Sequence, residues 1–127
     1  MNIYELTGAE LDYWVAKCVS PKGVHWIEDG KTYMGGYWSG HSTPIRMCGV
    51  WWSPSTDWSQ GGPLIEERGI NTVVHCIENN KVTSWRTLKH WPVTNLPEMT
   101  GETPLIAAMR ALVASKYGDE VGEGERQ

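Results

Sequence analysis

Two short turn signals constrain this chain more than any other feature. Asp29-Gly30 lies between His25-Trp26-Ile27-Glu28 and Lys31-Thr32-Tyr33-Met34. Asn79-Asn80 lies between Asn71 to Ile77 and Val82 to Leu88, both rich in β-branched residues. Asp, Asn and Gly tolerate the positive φ that a two-residue hairpin turn demands. The sequence therefore predicts one hairpin over 24–36 and a second over 71–88. On the second, alternation puts Val73, His75 and Ile77 on one face and Thr72, Val74 and Cys76 on the other. Both faces are partly apolar, which predicts a strand inside its sheet. A further short strand is expected from Ile45 to Val50.

Helices flank the hairpins. Thr7 and Glu10 have capping-box spacing, and Leu6 is placed to staple onto Leu11. Leu11, Trp14, Val15 and Cys18 or Val19 recur at three and four residues, giving an amphipathic helix from Ala9 to Cys18 that Ser20-Pro21 ends. Near the other end, Thr103 is the cap and Pro104 the first residue of a helix. Leu105, Met109, Leu112 and Lys116 form its stripe, with Ile106, Val113 and Tyr117 beside it. Ala107, Ala108, Ala111 and Ala114 allow close packing, and Gly118 stops the helix. The fold class is α+β: an antiparallel sheet from two hairpins, packed by an N-terminal and a C-terminal helix, with a short helix after the central loop. A length of 127 residues fits one domain, residues 1–118, with a flexible acidic tail over 119–127.

The central stretch, Trp51 to Ile70, concentrates unusual residues. Two adjacent indoles open it, then Ser53-Pro54-Ser55-Thr56-Asp57, a third indole at Trp58, Gln60, Gly61-Gly62 and Pro63. Ser55 or Asp57 is suited to cap a short helical turn. Gly61-Gly62 is expected to break that turn and to let backbone approach closely. Pro63 then starts a second helix, Leu64 to Arg68, which Gly69 closes in the left-handed conformation. A turn needing only to reverse the chain has no use for three indoles, two glycines and two prolines. Trp52, Ser53, Ser55, Thr56, Asp57, Trp58, Gln60 and Arg68 are therefore the candidate ligand-binding residues, lining a concave site. The plainer alternative is that the indoles are core and the polar residues cap helices.

Eight Trp and no Phe supply enough indole for both a core and a site. A net charge of −4 argues against non-specific binding to duplex nucleic acid. No run is long enough to span a membrane, and the start lacks a basic region followed by an apolar one, so the expected location is the cytoplasm. Cys18, Cys48 and Cys76 are widely spaced, without a Cys-x-x-Cys pair, and support neither a disulfide framework nor a zinc ribbon. His25, His41, His75 and His90 lie on four separate segments without ligand spacing, so neither a metal nor another cofactor is expected. No nucleophile elbow or phosphate-binding loop appears, so the chain reads as non-enzymatic; the acid–base alternative rests on Asp57 with a nearby His.

Three segments together carry a family resemblance: Leu11-Asp12-Tyr13-Trp14-Val15-Ala16-Lys17; Ser53 to Glu66; and Thr103-Pro104-Leu105-Ile106-Ala107-Ala108-Met109-Arg110, continuing to Ala114-Ser115-Lys116-Tyr117-Gly118-Asp119. Their order and spacing resemble the NinX-like small proteins of tailed phages and prophages. Gly61-Gly62 stands where some members place Ala-Trp. The resemblance implies a phage protein acting in the bacterial host cytoplasm, and it supplies no catalytic residues. A shorter likeness, an aromatic with a Pro-Ser and Asp turn beside a Trp, resembles phage anti-defence proteins that sequester nucleotide-like signals of host immunity.

The expected function is thus that of a phage accessory binding protein sequestering a small nucleotide-like ligand. Indoles would stack a base, and Ser53, Ser55, Thr56 and backbone amides near the glycines would donate to phosphate, with charge from Arg68, Arg46 or Arg86. The alternative is a protein–protein accessory factor that binds a host or phage enzyme through Trp, Tyr and Arg anchors. A homo-oligomer is expected under the first reading, because such sites are often built between subunits.

Overall fold

A computed structural model describes residues 2–20, 24–35, 50–88 and 97–118. Tyr37, Trp38, His41, Arg46, the expected strand before Val50, the loop at His90-Trp91-Pro92 and the tail 119–127 lie outside the described residues. A 3-10 turn, Ile3–Glu5, leads into helix α1, Gly8–Val19. The first hairpin is β1, Val24–Glu28, and β2, Lys31–Gly35; β3, Val50–Trp51, joins β2. Helix α2 spans Trp58–Arg68. The second hairpin is β4, Asn71–Glu78, and β5, Lys81–Leu88; β6, Thr100–Gly101, joins β5, and helix α3 spans Pro104–Tyr117.

Both hairpins turn where the dipeptides place them. Asp29 and Gly30 have φ of 52° and 73°, and Asn79 and Asn80 have 51° and 61°. The α+β class holds, but the two hairpins do not share one sheet. They belong to two three-stranded antiparallel sheets, β1-β2-β3 and β4-β5-β6. The reason is that each hairpin finds its third strand, and its helix, locally. Helix α1 packs on β1 and β2, α3 packs on β5 and β6, and the two helices meet between the sheets. There Leu11, Trp14, Val15, Met109, Leu112 and Val113 are fully or almost fully buried with Ile3, Leu6 and Met99. Trp14 meets Tyr117 edge-on at 5.2 Å between ring centroids. The expected core helix is therefore present, over the predicted residues.

Three local expectations are corrected. Thr7 is the N-cap of α1, yet its side chain makes no cap hydrogen bond. Gly8 enters the helix at φ 55°, in the left-handed region rather than the helical one. Gly61-Gly62 does not break α2, which runs unbroken from Trp58 with Pro63 in its second turn. Pro63 that near the start removes a single intrahelical hydrogen bond, and the helix absorbs the loss. Finally, β4 is an edge strand among the described residues, not an inner one. Its register slips at His75, and that of β5 at Thr83: Val74 faces Trp85, Cys76 faces Ser84 and Ile77 faces Val82. One extra residue on each strand breaks simple alternation, so Ile77 shares a face with Val74 rather than with Val73.

Candidate functional site

The central stretch is assembled by hydrogen bonds from three directions. Trp51 lies opposite Tyr33 in the first sheet, and the Trp52 amide donates to the Thr32 carbonyl at 2.8 Å. The Thr32 hydroxyl in turn donates to the Ala9 carbonyl on α1. Ser53 starts a tight turn, its carbonyl accepting from the amides of Thr56 and Asp57 at 3.1 and 2.8 Å. Gln60, on the first turn of α2, clamps this turn from behind: its Oε1 accepts from the Ser53 amide at 2.6 Å and its Nε2 donates to the Trp51 carbonyl at 2.9 Å.

Asp57 is the N-cap of α2. Its Oδ1 accepts from the Ser59 amide at 2.9 Å and from the Ser59 hydroxyl at 2.7 Å. Gly69 closes α2 at φ 63°, as expected. Gly61 is required by close approach: a side-chain carbon there would overlap the Pro54 carbonyl oxygen and lie 2.6 Å from Leu105 Cδ2. The turn therefore sits directly on α2 and α3. Among the described residues, a side-chain carbon added at Gly62 would meet only the Trp58 ring, at 3.9 Å, which places that ring along the helix surface.

A residue outside the predicted set supports the turn from below. Asp12, on α1, is almost fully buried, and its Oδ1 accepts from the Ser55 amide at 2.9 Å. Burial pushes the Asp12 carboxyl up to about 6, and the Ser55 hydroxyl and amide hold it back from rising further. The Ser55 hydroxyl is buried beside this carboxylate without a well-aligned hydrogen bond. The sequence signal for Asp12 is its place between Leu11 and Tyr13-Trp14, inside the most apolar part of α1. A second unpredicted group is Lys31, whose Nζ lies 4.6 Å from the centre of the Trp51 ring.

The structure brings Trp52, Ser53, Ser55, Thr56, Asp57, Trp58 and Gln60 together around one turn. Arg68 is not among them: it lies at the far end of α2, ~15 Å along the axis at 1.5 Å per residue. Arg86 is on the second sheet, paired with Glu98 at 3.3 Å. Ser53 and Ser55 are buried, and Trp52 is half-buried against the core. Trp51 and Trp58, in contrast, are 52% and 57% exposed. The polar groups of the turn thus build it, while two indoles stand out from it.

Among the described residues no group of three or more His, Cys, Asp or Glu is placed to hold a metal ion, and no helix is long and apolar enough to cross a membrane. No curated protein matches the chain. The family model described as bacteriophage P22 NinX matches residues 2–116, which include α1, the central turn and α3. The chain belongs to the bacteriophage P22 NinX family.

Proposed function

We propose that this phage protein is a non-enzymatic accessory factor that docks on a protein partner in the infected bacterial cytoplasm, with Trp51 and Trp58 as its anchors. One observation carries the reading. The hydrogen-bonding groups of Ser53, Asp57 and Gln60 are taken up inside the stretch, while both flanking indoles are more than half exposed. Exposed Trp on a rigid support is the residue type that dominates binding energy at protein interfaces. The turn is held by two helices and a sheet, so the indoles lose little freedom on binding.

A second reading, sequestration of a small nucleotide-like ligand, draws support from Lys31 above Trp51. An aromatic face beside a cation is the pairing that a base and its phosphate use. The two readings separate in one experiment. A photo-crosslinking residue is placed at 51, 58 or 67 in infected cells, and the purified parent is melted with cyclic dinucleotides and cyclic ADP-ribose isomers. Docking predicts one protein captured from 51 and 58 but not from 67, and no stabilisation by nucleotides. Sequestration predicts a raised melting temperature and ligand recovered unmodified.

A further inference from the structure

We propose that β4 is a self-association surface, on which a second copy of this chain pairs its own β4 antiparallel across a two-fold axis. Eight residues of β4 form an edge of the second sheet among the described residues. Edge strands of monomers usually carry Lys, Pro or an inward charge that discourages pairing. Between Asn71 and Glu78 the strand reads Thr-Val-Val-His-Cys-Ile, with none of these; the one edge device it carries is the bulge at His75, which the pairing proposed here places at the two-fold axis.

The exposed face of the hairpin is apolar for a traceable reason. Trp85 faces Val74 on one side and Gly101 on the other, and a side chain at Gly101 would strike Ile106 and Ala107 of α3. That row is the one α3 covers. Arg110 of α3 reaches the Thr100 carbonyl, opposite Arg86, so toward its N-terminus the helix passes from there over Trp85 and begins at Pro104, capped by Thr103. Beyond this row the hairpin overhangs the helix, and the same face continues with Ile77 opposite Val82. Val74, Ile77 and Val82 are 39%, 62% and 40% exposed.

The slipped register selects the second copy as occupant. Residues directly opposite in an antiparallel pair share a face. The extra residue at His75 leaves Val74 and Ile77 on one face and His75 and Cys76 together on the other. Setting Val74 against Ile77 of the second copy then sets His75 against Cys76, and every opposed pair matches face to face. Both bulges meet at the axis. The pairing is isologous, so each apolar contact occurs twice. Charge agrees: the single carboxylate of the strand, Glu78, falls opposite Val73 of the second copy, stands across from Lys81 in the register of its own hairpin and lies far from its symmetry mate.

Sedimentation velocity of the intact protein is the first test. A dimer is expected, and Ile77→Lys or Val74→Lys should sediment as a monomer with a native circular-dichroism spectrum. A monomeric parent, or a dimer indifferent to both changes, would overturn the proposal. Register is tested where Cys18, Cys48 and Cys76 are Ser. Val74→Cys mixed with Ile77→Cys should form an intermolecular disulfide, because directly opposite pairs have Cα atoms about 4.5–5.5 Å apart. Val74→Cys alone should not, since its symmetry mate is three residues along, roughly 10 Å away. Self-linking by Val74→Cys in preference to the mixed pair would contradict the register.

Discussion

At the scale of single residues, Asp12 is the most informative side chain. The unfolded chain releases its proton near 3.8, whereas the buried carboxyl holds it to about 6. Between those values the folded state binds more protons, so rising pH costs stability through this group, and the cost is complete above about 6. An asparagine in its place would keep an acceptor for the Ser55 amide without a buried charge. The stability difference between Asp12→Asn and the parent should therefore shift by roughly 2–3 kcal/mol in favour of the variant from pH 4 to pH 7.5, read from urea unfolding at each pH. A difference that stays constant with pH would mean that charge burial is not what distinguishes Asp12. The sequence allows Asp57 to be either a helix cap or a ligand acceptor, and its contacts with Ser59 make it a cap. Asp57→Asn should accordingly leave the melting temperature nearly unchanged, since Asn caps about as well.

At the scale of elements, what was legible was local. Asp29-Gly30, Asn79-Asn80, Thr103-Pro104 and Gly69 each encode backbone conformation within a few residues, and each does in the fold what its residue types dictate. Gly61-Gly62 was half legible: close backbone approach is expected of it, but the cause lies in Pro54 and Leu105, distant in sequence, and only Gly61 needs it. Two substitutions separate the pair. Gly61→Ala should destabilise by roughly 1–3 kcal/mol through overpacking. Gly62→Ala, with only an ordinary contact to the Trp58 ring, should stabilise by roughly 0.5–1 kcal/mol, the gain of Ala over Gly inside a helix. Leu112 on α3 is 1% exposed, and Leu112→Ala should cost roughly 2–5 kcal/mol in the same unfolding experiment.

At the scale of the whole molecule, pairing between distant segments was not legible. Nothing near Trp51 states that it adds to β2, and nothing near Thr100 states that it adds to β5, so the sequence suggests one sheet where two stand on either side of α1 and α3. The candidate site was located as a stretch, while its division into buried polar groups and exposed indoles depended on Gln60, Asp12 and Gly61 acting from other elements or turns. That division is the basis of the functional reading: a rigid turn presents Trp51 and Trp58 to a protein partner. The most direct measurement is the affinity of the protein captured by crosslinking from position 58, titrated against the parent, Trp51→Ala and Trp58→Ala, with thermal melting of each variant alongside. Each variant should melt like the parent and bind at least roughly tenfold more weakly, the loss expected of an interface anchor. Unchanged affinity in both variants, with the fold intact, would contradict the functional reading.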